Sequence, residues 1–404
     1  MTEMSVDVLA VIYAPLEKYP PTINQVALLA ESGLRVAVVD CYYPGAACVA
    51  FGGNHPVQRI RAGRYTEQFR EPLPNGAVRL LRLLRFKSRL YHYIRRARPK
   101  VVIAYDTYAF YLVGTLENVV PRPRLVWHFH ELPGFMSLMH MGGMVGQAEK
   151  FIRRAAHRAD MWIVPDSDRA ALLSKAVRPP RESFVVMNCP RRLGTLPGGN
   201  LKERLRQTGF RPRKIVLFQG SIDGSRCLET LLASMSRWPA DAGLVLLGPV
   251  ESGYKARLLR QAMESGMSDR VLFLDPVPYR DVFSYTVDAD VCCCLVQQVD
   301  NMNWDYSAGA INKRFEYMAV GVPQVTNRGT GMAGIVSEPN AGLLVDPRDS
   351  GEVGDAVRKL LIDESMHATM ARDARKAHLS IFNYEAQFRA PLELFTKWVR
   401  AVAE

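Results

Sequence analysis

The sequence has few of the features that place a protein in a membrane or outside the cell. No uncharged apolar run approaches the roughly 18–20 residues that a membrane-spanning helix needs. The first residues show no signal-peptide pattern and lead directly into an apolar, strand-like stretch at 6–12. The seven cysteines are scattered except for three adjacent ones at 292–294, which suits neither a disulfide set nor a spaced metal site. These absences predict a cytoplasmic protein whose cysteines are small buried apolar side chains.

Acidic residues are almost missing from one part of the chain. The net charge of the 404 residues is +12, and residues 51–100 contain 13 Lys and Arg against 2 Asp and Glu. Residues 201–404, in contrast, contain 25 of each sign. This local excess predicts a basic patch that meets a membrane surface, a lipid-linked phosphate or nucleic acid, with a plain solvated surface as the alternative. Because no aromatic-rich nucleic-acid motif accompanies it, we expect no nucleic-acid partner.

The densest part of the basic excess is predicted to be a helix. Between residues 75 and 99, apolar residues recur at helical spacing, and Arg79, Arg82, Arg85 and Arg89 fall on one face. A basic amphipathic helix can lie on an anionic bilayer, so we expect peripheral contact with the inner face of a membrane. A core helix with a basic outer surface explains the pattern equally well. The Met-rich segment 135–144 is a second candidate for lipid contact, or else a buried loop.

The rest of the chain alternates short apolar segments with segments of helical spacing. This alternation is typical of a doubly wound α/β fold with a parallel sheet. It occurs twice, on either side of a Pro- and Gly-rich break at 189–199. We therefore predict two domains, residues 1–190 and residues 200–383. Residues 384–404 have the apolar spacing of a terminal helix.

One predicted helix in the second half has the features of an anion-binding site. Residues 312–325 read NKRFEYMAVGVPQV, so that cations open the helix and Gly-x-Pro ends it before a short strand. The free N–H groups and the macrodipole at a helix N-terminus attract anions. Lys313 and Arg314 add mobile positive charge, and Glu316 lies one turn further on, where it can accept hydrogen bonds from a sugar hydroxyl. The segment therefore predicts a site for a diphosphate beside a ribose.

A second candidate phosphate-binding segment follows the first strand of the second half. Ligands of open α/β sheets bind at the carboxyl ends of the strands. Gly220 and Ser221 stand at such an end, and glycine allows the backbone to approach a phosphate closely. Arg226 can add paired, charge-assisted hydrogen bonds. An ordinary strand-to-helix turn with a surface arginine is the alternative.

Residues 312–325 also resemble the nucleotide-sugar motif of retaining glycosyltransferases of family 4, also called glycosyltransferase group 1. These enzymes have the GT-B fold, in which two Rossmann-like domains face a central crevice. The resemblance covers roughly residues 213–363. It implies that Glu316 binds the donor ribose and that residues 384–404 cross back onto the first domain. It also implies a reaction without a bound metal, in which Arg226 and Lys313 stabilise the departing nucleotide diphosphate.

Further donor-side positions follow from the same resemblance. Val277, in the turn after a strand, would contact the base and pack on its ring. The backbone amides of Gly309, Ala310 and Ile311 would face the diphosphate or the donor sugar.

The resemblance also implies polar residues on the first-domain side. His130 and Glu131, at the end of a strand, would orient the donor sugar or the acceptor. Asp106 and His128 are further candidates on the sugar or acceptor side. A capped, hydrogen-bonded strand end is the alternative for this group.

Two departures from the family pattern affect the expected function. Ala308 stands where the family often has its first glutamate, eight positions before Glu316, so the donor sugar and the retention of configuration stay open. The glycine pair that often follows the first strand is also missing from residues 14–22. The second departure lies where the acceptor normally approaches.

The resemblance implies a glycosyltransferase that moves a sugar from a nucleotide-diphosphate sugar to an anionic or lipid-linked acceptor. Synthesis of cell-surface polysaccharide or glycolipid is the expected context, and no cofactor is expected. Two alternatives remain: a sugar-nucleotide epimerase of the same architecture, and a non-catalytic scaffold subunit that binds a nucleotide sugar.

Overall fold

The structure is a computed structural model that describes residues 6–43, 51, 56–66, 75–116, 122–134, 143–297 and 301–401. The chain divides into two compact units, Met1–Met187 with Gln387–Glu404, and Asn188–Ala386. Each unit contains its own parallel sheet. The prediction of an α/β fold with two doubly wound parallel sheets is confirmed.

The first unit contains a seven-stranded parallel sheet in its described residues, with the order β3-β2-β1-β4-β5-β6-β7. The strands are β1 (Val8–Ile12), β2 (Val36–Tyr42), β3 (Gln58–Arg64), β4 (Val101–Tyr105), β5 (Arg124–His128), β6 (Met161–Val164) and β7 (Glu182–Val185). The helices are α1 (Pro20–Glu31), α2 (Gly76–Ala97), α3 (Asp106–Gly114), α4 (Gly143–Ala155) and α5 (Ser167–Ala176). β1 and β4 are buried along their whole length because helices cover both faces of the sheet.

The second unit contains a six-stranded parallel sheet in its described residues, with the order β10-β9-β8-β11-β12-β13. The strands are β8 (Lys214–Gln219), β9 (Ala242–Leu247), β10 (Val271–Leu274), β11 (Val291–Cys294), β12 (Gln324–Asn327) and β13 (Gly342–Val345). The helices are α6 (Leu201–Thr208), α7 (Leu228–Ser234), α8 (Ser252–Glu264), α9 (Val282–Thr286), α10 (Met302–Asp305), α11 (Asn312–Val320), α12 (Ser350–Ile362), α13 (Glu364–Ser380) and α14 (Tyr384–Gln387). The strand order reverses between β8 and β11, and ligands of such sheets bind at this point.

The C-terminal segment forms two helices rather than one continuous helix. α14 ends at Gln387, and α15 (Arg389–Ala401) follows as part of the first unit. α15 lies against β4, where Lys100 Nζ donates a 2.9 Å hydrogen bond to the carbonyl oxygen of Val399. The guanidinium of Arg124 also lies 5.6 Å from the centre of the Trp398 ring.

β3 is a strand that the sequence pattern does not indicate. Its sequence, QRIRAGR, contains three arginines and little apolar character. Within the described residues it lies at the edge of the sheet and pairs with one neighbour, β2. An edge strand can keep long charged side chains at the surface, so its pattern differs from that of a buried strand.

The prediction that the cysteines are buried side chains is confirmed for those that the structure describes. These are Cys41, Cys189, Cys227, Cys292, Cys293 and Cys294. The last three form most of β11, the central strand that follows the reversal of strand order.

α2 exposes apolar side chains as well as basic ones. Leu83, Phe86, Leu90 and Ile94 are buried against the sheet. On the outer surface of the same helix, large apolar side chains are exposed within two turns: Val78, Leu80, Leu81 and Leu84. Among the described residues, no helix is long and apolar enough to cross a membrane. The Met-rich segment 135–142 lies outside the described residues.

Candidate functional site

A buried chain of hydrogen bonds lies at the carboxyl end of β8. Gln219, the last residue of this strand, accepts a 2.6 Å hydrogen bond from the hydroxyl of Thr286. Its side-chain amide donates a 2.7 Å hydrogen bond to Glu316 Oε2 on α11. All three side chains are at least 95% buried. Glu316 is therefore fixed in direction before any ligand binds.

Burial raises the pKa of the Glu316 carboxyl above its usual value. The hydrogen bond from Gln219, the positive charge of Lys313 and the hydroxyl of Tyr279 lower this pKa but do not cancel the effect of burial. Burial and then the nearby Glu316 charge raise the pKa of Tyr279 well above its usual range, so its hydroxyl stays protonated and donates to the carboxylate. Glu316 is thus a carboxylate that accepts hydrogen bonds in a largely buried setting.

The raised pKa predicts that Glu316→Gln stabilises the fold at neutral pH. A carboxyl whose pKa is higher in the folded than in the unfolded chain favours folding while it is protonated, and this contribution falls as the pH rises past its ordinary pKa of about 4.3. The neutral amide removes that cost, so we expect a higher Tm than wild type at pH 7, by about 2–4 °C per kcal/mol recovered. Calorimetry at pH 4 and pH 7 checks this, since the difference should shrink at pH 4. A lower Tm at pH 7 would show that the carboxylate is structural.

Two glycines allow Lys313 to lie across the end of β8. A Cβ on Gly220 would lie 2.4 Å from Lys313 Cε and 2.7 Å from Lys313 Nζ, and Gly220 has φ +113°. A Cβ on Gly248 would lie 2.1 Å from the carbonyl oxygen of Gly220. The ammonium group lies 5.4 Å from the centre of the Phe218 ring. The close packing therefore holds Lys313 over the strand end that the sequence analysis assigned to a phosphate.

Lys313 is an unusually weak base for a lysine. Burial and then the neighbouring positive charge of Arg226 lower its pKa to about 8, although Glu316 and Asp223 act in the opposite direction. Two cations therefore lie at one strand end, and the nearby carboxylates Glu316 and Asp223 do not offset the effect of burial on the pKa of Lys313. A bound anion would stabilise both positive charges. The arrangement fits a diphosphate.

Arg226 is positioned by its own turn and by an aromatic ring. The turn Gly224–Arg226 begins at Asp223, whose carboxylate accepts from the Ser225 backbone N–H at 3.0 Å. The guanidinium lies 4.8 Å from the centre of the Trp304 ring on α10. Its buried Nε lies 3.8 Å from the Asp223 carboxylate, beyond hydrogen-bond distance, and bonds to none of the described residues. Arg226 therefore keeps donor capacity for a ligand.

Residues 307–311 form a loop that hydrogen bonds hold in place. Arg314 donates a 2.7 Å hydrogen bond to the carbonyl oxygen of Ser307. Asn188 donates through its backbone to the Gly309 carbonyl at 2.9 Å and through its side chain to the Ala310 carbonyl at 2.8 Å. Arg314 and Asn188 thus hold the loop through its carbonyl oxygens. The loop leads directly into the N-terminus of α11. Among the residues that the structure describes, no side chain caps that N-terminus.

Arg314 does not supply mobile charge, in contrast to the sequence prediction. Its side chain has no exposed surface and hydrogen bonds to Thr326 and Asn327 at 3.3 Å each. Neighbouring helix positions differ in direction by about 100°, so Lys313 lies over the strand end while Arg314 points into the unit. Ala308, at the position where the family often has its first glutamate, is also buried.

The remaining donor-side candidates lie at the edge of this site with fewer contacts. Ser221 is exposed in the turn after Gly220. Val277 is half-buried and packs against the apolar core on the α11 side of the sheet. Ile311 is also half-buried in that cluster, directly before α11.

In the first unit, His130 lies in a hydrogen-bonded group at the ends of β4 and β5. Its Nδ1 donates to Asp106 Oδ2 at 2.9 Å, and its backbone N–H donates to Asp106 Oδ1 at 2.7 Å. The hydroxyl oxygen of Thr22 lies 3.2 Å from His130 Nε2. Asp106 has φ +59°, a conformation that few residues other than glycine, asparagine and aspartate adopt readily. Glu131 is exposed next to this group.

His128 is more deeply buried than the sequence suggests. It has no exposed surface, and its Nδ1 donates a 2.7 Å hydrogen bond to Gln25 Oε1, which also accepts one from the Tyr105 hydroxyl at 2.6 Å. Burial and then the neighbouring His130 hold its pKa well below the usual value, so the ring is neutral. The Tyr105 and His130 rings stack at 5.8 Å. His128 therefore supports His130 rather than contacting a ligand in this conformation.

The structure adds residues that the sequence analysis did not name. In the second unit these are Gln219, Thr286, Trp304, Tyr279 and Asn188. Each acts through a partner distant along the chain, as in the contact of Gln219 with Glu316. Only the position of Gln219 at a strand end gave a local signal. Among the described residues, no group of three His, Cys, Asp or Glu side chains could hold a metal ion.

Comparison with known proteins shows that the second unit is similar to a known family. Residues 202–377 match the model of the glycosyl transferases group 1 family. The chain is 25% identical over 213 residues to the putative glycosyltransferase YtcC of Bacillus subtilis, covering 50% of each protein. It is 29% identical over 170 residues to the D-inositol 3-phosphate glycosyltransferase of Mycolicibacterium smegmatis, covering 42% of this chain and 37% of that enzyme. The matches thus span half or less of these relatives.

A solved structure resembles the whole chain. The crystal structure of Anabaena HepE in complex with UDP and glucose superposes with a TM-score of 0.73 at 17% identity, covering 97% of this chain and 100% of HepE. Identity this low shows the fold alone. The chain is therefore similar, over residues 202–377, to the glycosyl transferases group 1 family, and it has the GT-B fold.

Proposed function

We propose that this protein is a glycosyltransferase that moves a sugar from a nucleotide-diphosphate sugar to an acceptor hydroxyl. The observation that carries the proposal is the grouping of Lys313, Arg226 and Glu316 around the carboxyl end of β8 and the uncapped N-terminus of α11. Two cations and free helix amides suit a diphosphate, and a fixed carboxylate one turn along suits a ribose diol. HepE, which shares the fold, has been crystallised with UDP-glucose.

In the proposed reaction, the bond between the anomeric carbon and the diphosphate oxygen breaks, and its electron pair leaves with the diphosphate. The acceptor hydroxyl oxygen bonds to the anomeric carbon, and its proton leaves with the released diphosphate. Lys313, Arg226 and the α11 amides stabilise the negative charge that develops on the leaving group. Val277 contacts the base, while the amides of Gly309 and Ile311 face the diphosphate. The amide of Ala310, also expected there, instead donates to the Ser307 carbonyl oxygen at 3.2 Å. We propose retention of anomeric configuration and no requirement for a metal.

The first unit supplies the acceptor side in this proposal. His130, fixed by Asp106, and the exposed Glu131 orient the transferred sugar or the acceptor. The basic excess of residues 51–100 favours an anionic or lipid-linked acceptor and contact with the inner, anionic face of a membrane. Synthesis of cell-surface polysaccharide or glycolipid is the corresponding context. One curated relative is a GDP-mannose-dependent phosphatidylinositol monomannoside mannosyltransferase of Mycobacterium tuberculosis, 29% identical over 38% of this chain.

A panel of UDP-, GDP-, ADP-, TDP- and CMP-sugars without acceptor tests the proposal. We expect one nucleotide family to raise the Tm and to be hydrolysed slowly, with release of free nucleotide and free sugar.

An epimerase would instead convert the donor sugar into its epimer. The buried Ala308, which leaves the family's first carboxylate absent, favours the other rival, a scaffold subunit. Such a subunit would bind a nucleotide sugar and never consume it.

The low pKa of Lys313 predicts that donor binding weakens at alkaline pH. The unliganded ammonium loses its charge as the pH rises through about 8, so affinity for a nucleotide-diphosphate sugar should fall about tenfold between pH 7 and pH 9.5. The diphosphate diester of the ligand does not titrate in this range. The N–H of a uracil, thymine or guanine ring does lose its proton near the upper end of the range, so the effect of Lys313 is the difference from the Lys313→Arg variant measured with the same ligand.

Calorimetric titration at several pH values measures this effect. At pH 8 binding should take up protons, because the bound anion raises the pKa of Lys313. The Lys313→Arg variant is the control, since arginine stays charged and its affinity should not change with pH. A wild-type affinity that is equally flat would rule out Lys313 as the diphosphate ligand.

A further inference from the structure

A groove of about 500 Å³ separates the edge strand β3 from α2 in the first unit. Five arginines line it, two from β3 and three from α2: Arg61, Arg64, Arg82, Arg85 and Arg89. The α2 members follow one face of the helix at spacings of three and four residues. The predicted basic face of α2 is therefore one wall of a groove rather than a flat, outward-facing surface.

Two of the α2 arginines are aimed across the groove by contacts with the opposite wall. Arg82 donates a 2.5 Å hydrogen bond to the hydroxyl of Thr66, just beyond β3. Arg89 donates to the carbonyl oxygens of Arg61 and Ala62 at 3.4 and 3.1 Å. The acceptors in these contacts are uncharged oxygens, so the contacts do not neutralise the positive charges of Arg82 and Arg89.

Three α2 arginines have no acidic neighbour in the part of the chain that the structure describes. Within the described residues, no carboxylate lies within 4 Å of Arg82, Arg85 or Arg89. Elsewhere in the same unit, Arg35, Arg59 and Arg124 each pair with an aspartate. Arg61, on the β3 wall, lies 3.6 Å from the Glu17 carboxylate, so the unneutralised guanidinium groups of the groove are the three on α2. An anionic ligand would complement these three groups.

One side of the groove is apolar. Tyr42, Val78 and Leu81 line it beside the arginines, and each is at least 37% exposed. Leu84, the next residue along this surface, is 52% exposed. A small soluble anion would use the guanidinium groups alone, whereas a phosphate ester with an attached alkyl chain would also cover these side chains.

We propose that the groove between β3 and α2 binds the phosphate group of a lipid, with the phosphate on Arg82, Arg85 and Arg89 and the chain along Val78, Leu81 and Leu84. Arginine binds phosphate oxygens through paired, directed hydrogen bonds, which gives a discrete site rather than general attraction to negative charge. The inference rests on the proposed function only in naming this lipid as the acceptor or its carrier. Binding itself does not require the transferase reaction.

The test separates the effect of the positive charge of α2 on lipid binding from the effect of the paired hydrogen bonds made by its groove arginines. The variant Arg82→Lys/Arg85→Lys/Arg89→Lys keeps the net charge at +12 but removes the paired hydrogen bonds. The control Arg95→Ser/Arg96→Ser removes two charges from the exposed end of the same helix, outside the groove. The probe is dihexanoyl phosphatidylglycerol below its micelle concentration, titrated by calorimetry, with glycerol 3-phosphate as the soluble comparison.

We expect saturable 1:1 binding of the short-chain lipid, weaker by about tenfold in the lysine variant and unchanged in the serine control. Glycerol 3-phosphate should bind at least tenfold more weakly than the lipid. Leu81→Ser/Leu84→Ser, which changes only exposed residues, should remove that difference without altering the binding of glycerol 3-phosphate.

Other outcomes would contradict the proposal that the groove binds a lipid phosphate. Equal binding by the lysine variant and wild type, together with a loss in the serine control, would mean that diffuse charge binds the lipid. Equal affinity for glycerol 3-phosphate, tighter binding of a single-stranded RNA oligonucleotide, or no binding would each reject a lipid phosphate. Nucleotide-sugar binding, measured on the same preparations, reports on the second unit. Loss of the lipid site therefore remains distinguishable from failure of the proposed function.

Discussion

Replacing Gly220 with alanine should reduce turnover about 100-fold or more while the second unit stays folded. The added Cβ would lie 2.4 Å from Lys313 Cε, a separation that real Cβ atoms essentially never show. The lysine side chain must then leave the end of β8. A displacement of about 1 Å in a catalytic group can cost about 100-fold in rate. The measurement is donor turnover at saturating nucleotide sugar, with Tm recorded in parallel.

Gly209→Ala is the matched control for this substitution. Gly209 also has positive φ, +78°, but a Cβ there would meet nothing within 4 Å. It therefore introduces backbone strain in the same unit without moving Lys313, and it should lower the Tm but leave turnover close to wild type. If both alanine variants lost turnover to the same extent, strain rather than displacement of Lys313 would be responsible.

Removing the ammonium group itself should have the largest effect. Lys313→Met keeps an apolar chain of similar length over Phe218 but deletes a charge from the proposed leaving-group site. Loss of one such electrostatic contact typically costs about 100- to 1,000-fold in kcat. We expect a loss in this range in kcat at saturating donor.

Lys255→Met provides the corresponding control. Lys255 lies 5.2 Å from the centre of the Phe273 ring, so it has the same type of contact at a position on α8. Its replacement should change kcat by less than about twofold, as for a surface substitution. An Arg226→Met/Lys313→Met double variant should lose less than the product of the two single losses, because both cations act on one diphosphate. A kcat for Lys313→Met within a few-fold of wild type would contradict the proposed mechanism.

The tests in the second unit share one physical cause, the deep position of its charged groups. Burial weakens Lys313 as a base and Glu316 as an acid, so each charge is costly in the unliganded fold. A nucleotide-diphosphate sugar would supply both a counter-charge and hydrogen-bond donors. The expected gain in Tm for Glu316→Gln follows from the cost of this buried charge in the absence of a ligand.

The sequence predicts the local part of the site well and the tertiary part poorly. Lys313, Glu316 and the end of α11 follow from one contiguous segment, since capping and helical spacing are short-range properties. The partners Gln219 and Thr286 lie on other elements, so only the folded chain brings them to Glu316. Arg314 illustrates the same limit, because its sequence context next to Lys313 gives no sign that it points inward.

The fold shows a similar division. Buried strands such as β1 and β4 are evident as apolar runs, whereas β3 is not, because an edge strand that lines a basic groove has arginines where a buried strand has valines. The single terminal helix expected over 384–404 is interrupted at Phe388, which is itself fully buried. The boundaries 1–190 and 200–383 remain predictions of the sequence pattern.

A crystal structure with the nucleoside diphosphate that gives the largest thermal shift would locate the donor site. We expect the diphosphate within hydrogen-bond distance of Arg226, Lys313 and the α11 amides, and the ribose hydroxyls on the Glu316 carboxylate. A nucleotide bound elsewhere, or bound with its ribose away from Glu316, would contradict the proposed donor site.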